Sequence, residues 1–185
     1  MNGYPQRRPT REEIQAAAGG RVPDVIAPGL KVLFCGINPS LYSAAVGHHF
    51  ARPGNRFWPA LHRSGFTPRQ LQPWEDGELL EYGLGLTNIV PRATAAASEL
   101  SYEELLQGGE DLIRKVEQNS PQFLAVLGIS AYRRAFKHPQ AALGLQAERV
   151  GGAAVWVLPN PSGLNAHYQV PDLVRLFAEL RQAAG

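Results

Sequence analysis

The chain has 185 residues, 44% of them hydrophobic and 18% charged, with a formal net charge of +2. That length suits one domain with a substantial core, and the composition excludes an intrinsically disordered chain. A single cysteine, Cys35, excludes an internal disulfide and a four-cysteine cluster, and no apolar run is long enough to span a bilayer.

The first residues lack the apolar stretch of a secretory signal and carry Arg7, Arg8, Arg11 and Arg21. A mobile basic tail over 1–22 is expected ahead of one domain over 23–185, in a cytoplasmic protein without membrane attachment. The continuous apolar run 31–35 reads as a strand buried on both faces. A long stretch without periodicity follows, holding an Asn between Ile37 and Pro39 and the pair His48–His49. Loops of that length inside a compact domain are usually functional. Asn55 then caps a helix through Phe57, Trp58 and Leu61 that stops near Gly65. Residues 75–82 read as a helix and 84–90 as a strand. Ser101 with Glu104 forms a capping box for a long helix with Leu105, Leu106, Leu112, Ile113 and Val116 on its apolar stripe. A buried strand over 123–128 leads into a helix from Ile129. A strand over 153–159 and an amphipathic helix over 171–183, with Leu173, Leu176, Phe177 and Leu180 on one face, complete the pattern. Strands separated by helices imply an α/β fold: a three-layer α/β/α sandwich around a short, mainly parallel four-stranded sheet.

In open α/β sheets ligands bind beyond the carboxyl ends of the strands. Three such ends carry carboxamides: "GINPS" with Asn38, "TNIVPRAT" with Asn88 and "NPSGLN" with Asn160. An amide side chain both donates and accepts, so three converging on one pocket suit a neutral heterocycle with alternating C=O and N–H. The plainer alternative is that Asn-Pro starts turns and these are loop punctuation. No dinucleotide or nucleotide fingerprint and no nucleophile elbow is present. The five histidines show no metal-ligand spacing, so neither metal nor cofactor is expected. Arg52, Arg56, Arg63 and Arg69 follow the long loop and, with the tail arginines, permit a polyanionic partner. "VPRATAAASEL" carries no carboxylate before Glu99, so Ala93, at the end of the second strand, offers no acid or base.

"GINPS", followed by "FARPGNRFW" and later by "LPNPSGL", resembles the mismatch-specific uracil/thymine DNA glycosylases of the uracil-DNA glycosylase superfamily. The likeness runs from about Asp24 to the C-terminus and is closest to the bacterial mismatch-specific uracil branch, while "GLTNIV" also resembles the thymine branch. It implies a monofunctional, monomeric enzyme that flips uracil, and related pyrimidine lesions, out of double-stranded DNA, preferentially where mispaired with guanine. Hydrolysis of the N-glycosidic bond would leave an abasic site for base excision repair. Carried over by position, Asn38 would hold the attacking water. The Ile37 and Asn38 backbone would meet the pyrimidine edge, Phe50 would stack on the base, Ser43 would lie near C5, and Asn160 near O2. Asn88 matches the pocket asparagine of the thymine branch. In the wedge loop, Ser162, Gly163, Leu164 and Asn165, the leucine would fill the gap in the duplex while Gly163 and Asn165 meet the widowed guanine.

The fast uracil enzymes that resemble this chain carry aspartate in the first motif and histidine in the second. Asparagine at both positions implies slow chemistry, since general-base help is worth about 10²–10⁴-fold. Ser40 stands where those enzymes carry a tyrosine that excludes a 5-methyl group, which implies a broader substrate range. Phe50 as plain core and Leu164 as a turn residue packed on its own loop remain the bland alternatives. The rival functions are a DNA-damage-binding module with negligible chemistry and a nucleoside hydrolase.

Overall fold

The structure, a computed structural model, describes residues 7–185. Residues 1–6 of the expected tail lie outside the described residues. The rest of it, expected to be mobile, contains helix α1 (Arg11–Ala16), with Thr10 and Glu13 forming a capping box. Its continuation is tied to the body by Gly19 N–H to Ala93 O and Ala93 N–H to Gly20 O, at 3.0 and 2.8 Å. Strand β1 (Val32–Gly36) runs into helix α2 (Leu41–Val46), so the long stretch without periodicity contains a short helix. Ser40 caps it by accepting from Ser43 N–H, and Gly47 ends it in the left-handed region at φ 77°. Such a helix is too short to display a 3.6-residue pattern, which is why the sequence hides it.

Helix α3 (Phe57–Arg63) starts where Asn55 Oδ1 accepts from Phe57 N–H at 2.9 Å. A 3-10 helix (Pro73–Tyr82) leads to β2 (Leu84–Asn88). Helix α4 (Tyr102–Asn119) has the expected Ser101–Glu104 capping box. Then follow β3 (Phe123–Leu127), α5 (Ile129–Ala135), β4 (Gly144–Val150), β5 (Ala153–Leu158) and α6 (Val170–Ala184).

The sheet order is β2-β1-β3-β5-β4, with β4 antiparallel to β5 and the other pairings parallel. The sheet is therefore five-stranded and mixed, which corrects the expected four-stranded, mainly parallel sheet. The additional strand, "GLQAERV", is an edge strand with only Val150 buried. It pairs through its backbone, so no apolar pattern announces it. Its link to β5 is Gly151–Gly152, both at positive φ (54° and 89°), as a two-residue hairpin turn between twisted strands requires.

Alternate residues of the buried strands feed two cores. Leu33, Cys35, Leu124, Val126, Val155 and Val157 pack with Leu105, Leu112 and Val116 of α4 and with Tyr132 of α5. Val32, Phe34, Leu86, Ala125 and Leu158 pack on the other side with Phe57 and Leu61 of α3 and with Leu173, Phe177 and Leu180 of α6. Burying each large side chain contributes roughly 1.5–3 kcal/mol, and this two-sided burial fixes the register that brings the ends of β1, β2 and β5 together. Among the described residues no helix is long and apolar enough to cross a membrane. The Cys35 thiol is wholly buried, and burial pushes its pKa up, so it is no nucleophile.

Candidate active site

A pocket of about 200 Å³ opens beyond the carboxyl ends of β1, β2 and β5. Drug-sized ligands need roughly 300–1,000 Å³, so this volume suits a single flat ring. Its lining includes Ile37, Asn38, Ser40, Ser43, Phe50, Asn88, Asn160, Ser162 and Leu164, so every residue expected on the base side of the site is brought together. Gly163 and Asn165 lie outside the lining but in the same loop as Leu164.

The amide of Asn38 has one possible orientation. Its Nδ2 donates to Arg92 O at 2.8 Å and to Thr94 Oγ1 at 2.7 Å. A carbonyl oxygen only accepts, so the group facing Arg92 must be the NH₂. Thr94 in turn donates to Ala96 O at 2.8 Å, which aims a lone pair of its hydroxyl at Asn38. Oδ1 of Asn38 therefore faces away from this loop, with no hydrogen-bond partner among the described residues. It can accept a hydrogen bond from a water or a ligand, but an amide cannot take up the proton itself.

Phe50 sits in the left-handed region at φ 51°, a conformation that costs a non-glycine residue roughly 1–2 kcal/mol. Its neighbours enforce it: Trp58 Nε1 donates to His49 O at 3.3 Å, and Ala51 N–H donates to Ser43 Oγ at 3.0 Å. The ring stacks on Phe57, with centroids 4.3 Å apart, and also lines the pocket. Gly36 admits that close approach, because a Cβ there would stand 2.6 Å from Asn88 Oδ1 and 3.3 Å from the Phe50 ring. The side-chain amide of Asn88 has no hydrogen-bond partner among the described residues, so it is available to a ligand.

The two serines serve the loop itself. Ser40 Oγ takes Ser43 N–H, and Ser43 Oγ takes Ala51 N–H and the Ser40 hydroxyl. Ile37 gives its carbonyl to Val90 N–H at 2.9 Å, leaving only its other faces to a ligand. Asn160 Oδ1 accepts from Ser162 N–H at 3.0 Å, so its NH₂ remains as a donor at the pocket.

Leu164 is 74% exposed, the most exposed of the large hydrophobic residues, and so is not packed on its own loop. The loop beneath it is rigidly tied. Ser162 Oγ accepts Leu164 N–H at 3.2 Å, and Asn165 Nδ2 donates to Asn160 O at 3.0 Å. A Cβ on Gly163 would stand 2.5 Å from Gly54 O, so only glycine lets the two loops touch. Arg56 grips this loop: its guanidinium donates to Asn165 O and Tyr168 O at 2.7 Å each and to Gly163 O at 3.2 Å.

That geometry redistributes the arginines. Arg56 is committed to the Leu164 loop, and Arg69 is paired with Glu75 and Glu78 at 2.9 and 2.8 Å. The guanidinium groups of Arg52, which lines the pocket, and of Arg63 have no hydrogen-bond or ion-pair partner among the described residues and remain available to an anion.

Sequence reasoning missed Val22, His49, Asn55 and Thr94, all of which line the pocket. His49 is 2% exposed, and its Nε2 meets Pro23 O at 2.8 Å, so that nitrogen carries the proton. Burial holds its pKa below the usual histidine value, so the ring is neutral. No signal short of the fold marks Val22 or Thr94. Ala93 is buried, lies outside the pocket lining and engages Gly19 and Gly20. No group of His, Cys, Asp and Glu that could hold a metal occurs among the described residues.

Comparison with solved structures gives a match to a provisionally assigned uracil DNA glycosylase from Methanosarcina acetivorans, at 18% identity and a TM-score of 0.58. It covers 88% of this chain and 98% of that one, and shows the shared fold. Residues 23–182 match the uracil DNA glycosylase superfamily, whose members are DNA glycosylases; the chain belongs to that superfamily.

Proposed function

We propose that the chain is a monofunctional DNA glycosylase acting as a monomer on uracil in duplex DNA, with preference for uracil mispaired with guanine. The observation that carries this reading is the locked amide of Asn38, whose only free polar atom is the acceptor Oδ1 in a pocket sized for one ring.

In this reading the nucleotide leaves the stack at a cost of a few kcal/mol, less where it is mispaired. Leu164 enters the vacated space, and burying a leucine offsets roughly 2 kcal/mol of that cost. Phe50 takes one face of the base, while the NH₂ of Asn160 donates to its O2 and Asn88 reads its edge. Asn38 Oδ1 orients a water toward C1′. The water oxygen bonds to C1′ as the C1′–N1 bond breaks, and the electron pair leaves with the base as its N1 anion. The water proton passes to solvent, which protonates the departed base. No carboxylate lines the pocket, so positioning and hydrogen bonds to the leaving base bear the catalysis.

A gel assay with uracil opposite guanine, uracil opposite adenine, single-stranded DNA and free deoxyuridine tests this. Excision fastest from the guanine mismatch supports it. Binding without excision would favour a damage-binding module, and cleavage of free nucleoside a nucleoside hydrolase.

A further inference from the structure

We infer that residues 17–22, which lie outside the span matching the superfamily, are a positioning element for Asn38. The inference rests on the reading of Asn38 given under Proposed function.

The segment 92–94 is a strip with two edges. On the inner edge Arg92 O and Thr94 Oγ1 hold the NH₂ of Asn38, and Thr94 N–H donates to Pro39 O at 3.2 Å. On the outer edge Ala93, the residue between those two contacts, exchanges both backbone bonds with Gly19 and Gly20. The N-terminal segment is therefore the outer ply of a three-ply stack whose inner ply carries Asn38. Val22 continues from it into the pocket wall, and its end is fixed by Pro23 O on His49. Asp24 adds an ion pair to Lys115 at 2.5 Å and accepts from Thr87 Oγ1 at 2.8 Å.

Without the outer ply, the peptide groups on either side of Ala93 lose partners on one edge. The strip can then rock, and the Asn38 amide rocks with it. Small displacements of a positioned water are expensive: about 1 Å can cost on the order of a hundredfold in rate. Helix α1 buries no residue of its own and packs on α2, so the Gly19 and Gly20 backbone bonds are what join the ply to the strip.

Gly19→Val tests the inference in the full chain. Gly19 sits at φ 75° with nothing within 4 Å of a Cβ, so valine is strained there without clashing. Hydrogen exchange at the Ala93 amide reports whether the ply has lifted. The expected result is a fall of about tenfold in the single-turnover rate at saturating enzyme, with duplex affinity unchanged. In an Asn38→Ala background, Gly19→Val should cost nothing further. Deletion of residues 1–20 is the second variant and should repeat the rate loss and its absence in the Asn38→Ala background, while also losing the affinity that Arg7, Arg8 and Arg11 supply, with its melting curve confirming that the body folds. A full-length chain with Arg7, Arg8 and Arg11 changed to alanine should lose affinity but keep its saturated rate. Unchanged rates in both Gly19→Val and the deletion, an equal loss in the Asn38→Ala background, or a rate loss from the arginine changes would each overturn the inference. Wild-type chain that excises nothing would sink the proposed function itself, a different outcome from an active wild type indifferent to the ply.

Discussion

Arg56→Ala is the perturbation that separates two readings of the same arginine. Taken from the sequence, Arg56 belongs to a basic cluster facing phosphates; in the structure its guanidinium is spent on Asn165, Tyr168 and Gly163 carbonyls. Hydrogen bonds to a charged group are worth about 1.5–3 kcal/mol each, but these carbonyls lie near the surface and rehydrate once freed. A net loss of about 2 kcal/mol is therefore expected, or about 4–8 °C in melting temperature for a chain of this size. The wedge loop also loses its fixed base, so excision should fall more for uracil opposite adenine than opposite guanine. Arg56→Lys keeps the charge but not the fork, and should recover only part of the loss. Melting curves, single-turnover assays on both duplexes and affinity across a salt series measure all three. A phosphate contact would show the reverse: unchanged melting and a log–log salt slope shallower by about 0.9. That result would refute the clamp, whereas the shallower slope is expected for Arg52→Ala and Arg63→Ala.

Asn38→Ala should lower single-turnover excision of uracil opposite guanine by at least about tenfold while duplex binding, followed by fluorescence anisotropy, survives. Leu164→Ala should leave the melting temperature nearly unchanged, unlike a core leucine at about 2–5 kcal/mol, and slow excision most for uracil paired with adenine. Glu104→Gln probes the anchor of the strip that holds Asn38. Arg92 grips Glu104 at 2.7 and 3.1 Å, and with Ser101 N–H it draws the Glu104 carboxyl down to about 2. Because the folded value is depressed, the stabilisation is complete above about 4.5 and fades as pH falls from there toward 2. Wild type should therefore exceed Glu104→Gln in melting temperature at pH 7, and the gap should close in that acid window.

The elements legible in the sequence are those whose side chains alone decide them. β1, β3 and β5 are apolar runs buried on both faces, and α4 and α6 show their stripes and caps. What the sequence hides is held by backbone or by distant partners. β4 pairs through its main chain with its side chains in water, though the Gly151–Gly152 turn was a readable hairpin signal. Within the site, Asn38, Phe50, Asn160 and Leu164 stand in motifs with fixed local spacing, so position alone indicates them. Thr94 meets Asn38 across 56 residues of chain and Arg56 meets Asn165 across 109, and nothing local marks either encounter. Arg56 misleads for a second reason: a clamp on a loop's carbonyls and a phosphate contact use the same residue type.

A neutral pocket also constrains how the chemistry can be selective. With Asn38 unable to accept a proton and His49 held neutral by burial, no side chain in the lining except Arg52 carries charge. In the proposed mechanism no side chain therefore takes the proton of the attacking water, and Arg52 is the one cation in the lining that could face the departing base. On that mechanism the rate follows the stability of the leaving anion itself, so electron-poor bases should gain what the protein does not supply. Selection then falls to the step before chemistry. In the proposed mechanism extrusion depends on how firmly the base is paired and on Leu164, whose loop is fixed by Arg56 and Gly163. If the proposed function holds, a site built this way should discriminate by the weakness of the base pair more than by the identity of the ring, as the proposed preference for mispaired uracil requires.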